Sequence, residues 1–301
     1  MSTAKKAALL GWPVEHSLSP RLHGYWLKQY GINGSYQALA VKPDDLAETL
    51  RKLAKEGYVG VNLTVPHKEH ALSIVDRMDE NAKRIGAVNT IIMNAGLMNT
   101  DGDLEGRNTD AFGFAQNLLE GGYKMEAERP IAVLGAGGAA RAVIAALQDM
   151  GAREIHLINR TLEKAEALAQ EFSVMEQAHF IAPNEKMAEA VRHMHRVHAY
   201  GWGDFGALEN AGLLVNATSL GMKGQPPLDV PLDLLPKDAF VTDIVYAPLE
   251  TDLLKRAKQR GNRTIDGLGM LLHQARPAFE AFFGKDPEVT HDLRAHILDG
   301  R

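Results

Sequence analysis

The sequence predicts an α/β protein of two domains, the first built on a mainly parallel sheet and the second doubly wound. Three observations carry this prediction. The chain has 301 residues, which at about 100–200 residues per domain leaves room for two cores. Short apolar runs alternate with helix-like stretches, the pattern of βαβ units and parallel sheets. One apolar run leads directly into Gly135-Ala136-Gly137-Gly138-Ala139-Ala140, a glycine-rich strand-to-helix turn of Rossmann type.

The elements follow in order. Residues 7–10 form a first strand; Lys5 and Lys6 before them imitate a signal peptide, but the short apolar run leads into Glu15 and His16. Ser19-Pro20 opens a helix that Gly31 closes, with Ser19 a candidate N-cap. Residues 36–41 read as a strand, and Pro43-Asp44-Asp45 starts a helix carrying Leu46, Leu50 and Leu53 on one face. Residues 58–65 are the next strand, followed by a helix after Pro66. Residues 90–93 and 97–100, joined by Asn94-Ala95-Gly96, suggest a hairpin. Turn-rich segments at 120–122 and 126–130 mark the passage to the second domain. There, strands at 131–134, 155–158, 213–215 and 240–245 alternate with helices at 138–150 and 162–172. A late helix places Leu271, Leu272, Ala275, Phe279 and Phe282 on one arc, with a kink expected at Pro277. It returns to the first domain, giving 1–110 with 267–301 and, between them, 111–266. Residues 286–301 read as a solvated helix.

Composition narrows the chemistry. With no cysteine, disulfides, thiol nucleophiles, iron–sulfur clusters and cysteine-ligated zinc are excluded. A net charge of −5 and a pI near 6.2 speak against a general nucleic-acid or membrane-surface binder. No apolar run approaches the ~20 residues that cross a bilayer, so a cytoplasmic protein is expected. His193, His195 and His198 lie in a stretch with no carboxylate, and no metal site is expected there.

Gly135, Gly137 and Ala140 satisfy G-x-G-x-x-G/A between a strand and a helix. Glycine at 135 permits the tight turn, and glycine at 137 lets the backbone approach a pyrophosphate on the helix N-terminus. The next strand ends in Asn159-Arg160-Thr161, with Lys164 one turn on, where an NAD site would carry a carboxylate. Arginine, threonine and lysine suit a 2′-phosphate, so NADP is the expected cofactor. In the first domain, Val61-Asn62-Leu63-Thr64-Val65 alternates. That puts Asn62 and Thr64 on one face and the three apolar side chains on the other. Lys68 follows just beyond the strand's carboxyl end, where open α/β sheets bind ligands.

The ordered set of motifs resembles the shikimate dehydrogenase family. It comprises His16-Ser17-Leu18-Ser19-Pro20, Asn62-Leu63-Thr64-Val65-Pro66-His67-Lys68, Gly86-Ala87-Val88-Asn89-Thr90 and Asn108-Thr109-Asp110. Gly135 to Ala140, Asn159-Arg160-Thr161, Asn216-Ala217-Thr218-Ser219, Asp243-Ile244-Val245-Tyr246 and Asp266-Gly267-Leu268-Gly269-Met270 through Gln274 complete it. The resemblance spans about residues 8–284. It implies NADPH-dependent reduction of 3-dehydroshikimate to shikimate, with Lys68 and Asp110 as the catalytic pair. Ser17 and Ser19 match the family's carboxylate binders. Asn62, Thr64, Asn89 and Gln274 match its hydroxyl and carboxylate binders, and Tyr246 a further substrate contact. Gly135, Ala136, Gly137, Gly138, Ala139, Asn159, Arg160, Thr161, Lys164, Thr218, Ile244 and Gly267 match positions at the cofactor, and Glu80 matches more weakly. Asp79, where a small hydroxyl is frequent, and a long segment at 93–106 depart from the pattern. A monomer or homodimer is expected. A quinate/shikimate dehydrogenase of broader substrate or NAD use, or a non-catalytic shikimate-binding regulator, are the alternatives.

Overall fold

In the computed structural model, residues 4–93, 103–173 and 196–299 are described, and the chain divides into two compact units. Met1–Gly113 with Leu271–Arg301 make the first, and Phe114–Met270 the second.

The first unit contains β1 (Lys5–Gly11), β2 (Gly34–Ala40), β3 (Tyr58–Leu63), β4 (Arg77–Met78), β5 (Thr90–Met93) and β6 (Leu104–Arg107). Their sheet order is β2-β1-β3-β5-β6-β4. β1 runs parallel to β2 and β3, while β5 is antiparallel to β3 and β6. The run behind Lys5 and Lys6 is therefore a central strand, buried from Ala7 to Gly11. Leu46, Leu50 and Leu53 of helix Leu46–Lys55 cover one face of this sheet together with Leu10, Val61, Leu63, Ile91 and Leu104. Pro43–Asp45 forms a separate tight turn ahead of that helix.

Several local expectations need correction. Thr90–Met93 pairs with Leu104–Arg107, further along the chain than the Asn94-Ala95-Gly96 turn suggests; residues 97–100 lie outside the described residues, as do His193 and His195. The β3 ladder stops at Leu63, so strand alternation no longer governs Val65, which is 71% exposed. The last helix, His291–Leu298, is capped by Thr290 and buries Leu293 and Ile297. Those two are four residues apart and share one face, which packs against helix Ser19–Gln29. Pro277 lies inside helix Leu268–Phe283 without ending it.

The second unit holds β7 (Ile131–Leu134), β8 (Glu154–Asn159), β9 (Arg196–Gly201), β10 (Leu213–Asn216), β11 (Phe240–Asp243) and β12 (Arg263–Ile265). All pair in parallel, in the order β12-β11-β10-β7-β8-β9. From β7 the chain winds outward to β9, then restarts at β10 on the other side. Open sheets bind ligands beyond the carboxyl ends of the strands at such a reversal. Every residue of β7, β10 and β11 is buried, which accounts for the apolar run of β7 and the apolar starts of β10 and β11.

The carboxyl ends of β10 and β11 close on a buried polar cluster. Asp243 Oδ1 accepts from Asn216 Nδ2 and from the Val245 N–H, each at 2.9 Å, and Oδ2 accepts from Thr251 Oγ1 at 2.7 Å. Burial pushes the Asp243 carboxyl up to about 6, against the pull of those three bonds. A raised carboxyl pKa means that the folded chain holds this proton more tightly than the unfolded one. The resulting stabilisation is complete below about pH 4 and is lost as pH rises through about 6. Asp243→Asn cannot titrate. The unfolding free energy of wild type relative to this variant should fall by about 2–3 kcal/mol between about pH 4 and about pH 7. Denaturant titrations at the two pH values measure it, and a constant difference would contradict the assignment.

Candidate active site

Lys68 lies on the short helix His67–His70 that follows β3. Its backbone is fixed from both sides. His67 is fully buried and its Nε2 donates to the Val41 carbonyl at 2.9 Å, while the Lys68 carbonyl accepts the Val88 N–H at 2.8 Å. A carbonyl can only accept, so His67 carries its proton on Nε2; burial lowers the pKa of this ring, which stays neutral.

Asp110 begins helix Asp110–Glu120. The helix start is served by Asn108, whose Oδ1 accepts the Asp110 N–H at 3.0 Å. The Asp110 carboxylate is free to face Lys68, with Nζ and Oδ2 2.6 Å apart and side-chain exposures of 18% and 2%. Asn89 holds this pair from behind: its Nδ2 reaches Asp110 Oδ1 at 3.0 Å and Gln274 Oε1 at 2.9 Å. Its Oδ1 accepts the Thr109 N–H at 2.8 Å, which fixes the amide's orientation because a backbone N–H only donates. Gln274, held through Oε1, keeps Nε2 as a donor.

Asn62 joins the same network. It accepts from the Tyr36 hydroxyl at 2.8 Å and donates to the Asn89 carbonyl at 3.2 Å and to Thr90 Oγ1 at 2.9 Å. Thr64 follows β3, its N–H on the Leu10 carbonyl at 2.9 Å. Ser17 and Ser19 lie beyond the neighbouring carboxyl end of β1, their hydroxyls 3.3 Å apart. Ser19 is the first helical residue and does not act as the cap. Ser17 Oγ accepts the Ser19 N–H at 3.2 Å and so meets part of the helix-start demand. The departure at Asp79 is also structural: its Oδ1 caps helix Glu80–Ile85 by accepting the Ala82 N–H at 2.7 Å.

The second unit carries the other site residues. Gly135 follows β7 with φ +104°, and a Cβ there would meet Thr218 Cγ2 at 2.8 Å. Gly137 is the N-cap of helix Gly138–Asp149, with no side-chain cap and open space where a Cβ would stand. The first N–H groups of that helix, including those of Gly138 and Ala139, are therefore available to an anion. Asn159 ends the neighbouring β8, where its Nδ2 donates to the Thr161 carbonyl at 2.8 Å. The Arg160, Thr161 and Lys164 side chains are exposed and meet no partner among the described residues. Thr218 is held by Asn216 Oδ1, which accepts both its N–H at 3.0 Å and its hydroxyl at 2.7 Å. The Ile244 N–H donates to the Asn216 carbonyl at 3.1 Å, and a Cβ on Gly267 would collide with the Ile244 carbonyl. Tyr246 belongs to this unit, three residues past the end of β11.

Lys68, Asp110, Asn89, Asn62 and Gln274 thus form one connected cluster. Sequence reasoning gave Tyr36, Thr90, Asn108, Thr109, Asn216 and Asp243 no role of their own. For Thr90, Asn216 and Asp243 the signal was a polar residue at the end of an otherwise apolar strand; Tyr36, Asn108 and Thr109 carried none.

A parallel sheet whose glycine-rich turn meets an uncapped helix start is the architecture of dinucleotide-binding enzymes, and a lysine held against a carboxylate can supply acid–base chemistry. Family profiles match along the chain. The shikimate dehydrogenase substrate binding domain covers residues 9–91, the shikimate/quinate 5-dehydrogenase profile 117–197, and the shikimate 5′-dehydrogenase C-terminal domain 267–295. A shikimate dehydrogenase (NADP(+)) of Paramagnetospirillum magneticum is 50% identical over 98% of both chains. The chain belongs to the shikimate dehydrogenase family. Shikimate 5-dehydrogenase from Thermus thermophilus, solved with NADP(H) and shikimate, superposes with a TM-score of 0.81 at 35% identity, covering 99% of this chain and 100% of that one. Quinate dehydrogenase from Corynebacterium glutamicum, solved with NAD, gives 0.83 at 29% identity, covering 98% and 99%.

The close approach of Gly267 to Ile244 is testable. Gly267→Ala should displace the Ile244 carbonyl and raise KM for the dinucleotide at least about fivefold, the equivalent of ~1 kcal/mol. Steady-state kinetics with the dinucleotide varied measures this, and an unchanged KM would place Ile244 away from the cofactor.

Proposed function

We propose that the chain catalyses the reversible NADPH-dependent reduction of 3-dehydroshikimate to shikimate, a step toward chorismate and the aromatic amino acids. The observation that carries this reading is the 2.6 Å pair of the half-buried Lys68 with the buried Asp110, clamped by Asn89. Residues 1–110 with 267–301 bind the substrate, and residues 111–266 bind NADP.

Bound NADPH supplies the hydride to the ketone carbon. As negative charge develops on the ketone oxygen, Lys68 donates a proton from Nζ, and in the oxidation it takes that proton from the hydroxyl. Asp110 Oδ2 keeps Nζ in place, and the carboxylate's remaining lone pairs accept from a substrate hydroxyl. Ser17 and Ser19 bind the substrate carboxylate. Thr64, Asn62, Asn89 and Gln274 hold its hydroxyl and carboxylate groups, with Gln274 Nε2 a donor, and Tyr246 adds a further contact. The residues around Gly137 fit a dinucleotide: the helix start is uncapped and unobstructed. Gly135, Ala136, Gly137, Gly138 and Ala139 take the pyrophosphate. Asn159, Arg160, Thr161 and Lys164 take the 2′-phosphate, and Thr218, Ile244 and Gly267 border the cofactor.

The likeness to a quinate dehydrogenase solved with NAD favours a second reading, oxidation of quinate with NAD. Arg160 and Lys164, standing where an NAD site needs a carboxylate, oppose it. Rates of NADP and NAD reduction with shikimate and with quinate decide. Shikimate with NADP should give the highest kcat/KM; no activity with shikimate overturns the proposal, and a higher efficiency with NAD overturns the cofactor assignment.

Lys68→Ala and Asp110→Ala should each lower kcat about a hundredfold or more while KM for shikimate moves only a few-fold. Turnover near that of wild type in either variant removes that residue from the chemistry.

A further inference from the structure

The geometry points to Tyr36 as a positioning residue for the catalytic pair, its hydroxyl closing the far end of a buried hydrogen-bond chain whose polarity backbone groups fix and which runs through Asn62, Thr90 and Asn89 to Asp110. This inference rests on the function proposed above.

The direction of the amide links is forced by chemistry, and Thr90 follows its nearer acceptor, Asn89 Oδ1 at 3.0 Å over Thr109 Oγ1 at 3.4 Å. Asn62 faces the Asn89 carbonyl at 3.2 Å, and a carbonyl only accepts, so the amide nitrogen must lie on that side. The Asn62 oxygen is thereby turned to Tyr36, 2.8 Å away, and the phenol must donate its single hydrogen. The second amide hydrogen of Asn62 goes to Thr90 Oγ1 at 2.9 Å. Thr90 then directs its own hydrogen to Asn89 Oδ1 at 3.0 Å, the oxygen that also takes the Thr109 N–H. Asn89 is left with its nitrogen toward Asp110 Oδ1, and Lys68 Nζ completes the series on Oδ2. Both amide hydrogens of Asn62 are engaged, so only its oxygen remains able to meet a substrate hydroxyl.

The first link is rigidly mounted. The Tyr36 ring stacks on His23 with centroids 3.9 Å apart and planes 3° from parallel, and His23 also packs against Trp26 and Phe279. Burial lowers the His23 pKa to about 3 and raises that of Tyr36. The stack is neutral, and the phenol keeps the hydrogen it must donate. Asn62, Asn89, Thr90 and Asp110 are at most 8% exposed. In such surroundings a misdirected amide cannot be rescued by water. Without the phenol hydrogen the Asn62 oxygen is left unpaired, and the shift of that amide passes through Thr90 to Asn89, which touches both the Asp110 carboxylate and the Gln274 oxygen. That shift would thus disturb both the pair and the donor that Gln274 presents.

Tyr36→Phe keeps the stack and removes only the hydrogen. The variant should lower kcat for shikimate oxidation about tenfold and leave KM for NADP within about twofold. In a Thr90→Val background, where the chain is already cut, the same change should cost less than about twofold, because links acting as one unit are not additive. A merely structural role would produce a loss that multiplies in the double variant. That result, or a wild-type kcat in Tyr36→Phe, overturns the inference. Should Tyr36→Phe fail to fold, Thr90→Val alone must show the tenfold loss in kcat with KM for NADP preserved, and its absence overturns the inference equally. A wild-type protein inactive on shikimate would instead sink the proposed function.

Discussion

A carboxamide held at 1% exposure must find protein partners for its oxygen and its nitrogen or lose several kcal/mol of solvation, and Asn89, through side chain and backbone together, is tied to three separate stretches of chain, at Leu63, at residues 107–110 and at Gln274. Its carbonyl accepts the Leu63 N–H at the end of β3, and its N–H donates to the Arg107 carbonyl at the end of β6. Its side chain takes the Thr109 N–H and reaches Asp110 and Gln274, the last of these on the helix that re-enters the first unit. No one of these bonds is worth more than about 1–3 kcal/mol, but leaving any of them unmade inside a dry core costs a comparable amount. Folding of the unit and alignment of Lys68 on Asp110 are therefore one condition. A chain that reaches the native state has already set the pair to 2.6 Å.

The second unit uses the same device. Asn216, fully buried at the end of β10, accepts from Thr218 twice, accepts the Ile244 N–H through its carbonyl, and donates to Asp243 and to the Leu220 carbonyl. The turns that carry Thr218 and Ile244 are thus shaped by an asparagine behind them. In both units a buried asparagine at or near a strand end fixes the geometry of the candidate site residues around it. Such a network adds little stability over an apolar core of the same shape. What it adds is a single arrangement of donors and acceptors.

The frame was legible in the sequence because it is written in local patterns. The apolar run of Ile131–Leu134, the glycines after it and the three leucines of Leu46–Lys55 each specify their element by periodicity and sterics alone. The first unit's partial antiparallel pairing was not legible. A turn such as Asn94-Ala95-Gly96 argues for the nearest partner, whereas β5 takes the more distant Leu104–Arg107. Nor could spacing bring Lys68 to Asp110, which are 42 residues apart; only the resemblance joined them. Tyr36 was hidden for a further reason. A tyrosine in a strand is ordinary, and its role lies in the direction of one hydrogen bond, which depends on acceptors contributed by other strands.

The charge of −5 acquires a sharper meaning beside this. Arginines 51, 77, 129, 153, 256 and 276 each lie against an acidic side chain. Arg160, exposed at the end of β8, has no such partner among the described residues, and Lys164 one turn on has none either. An arginine beside a strand end with no acid against it is open to an anion. A carboxylate there would repel a nucleotide 2′-phosphate and compete with it for the guanidinium fork. Among the described residues no carboxylate competes for the fork, and the two exposed cations lie in water, where desolvation costs the folded state almost nothing. Arg160 and Lys164, with no acid against them among the described residues, thus remain open to a 2′-phosphate.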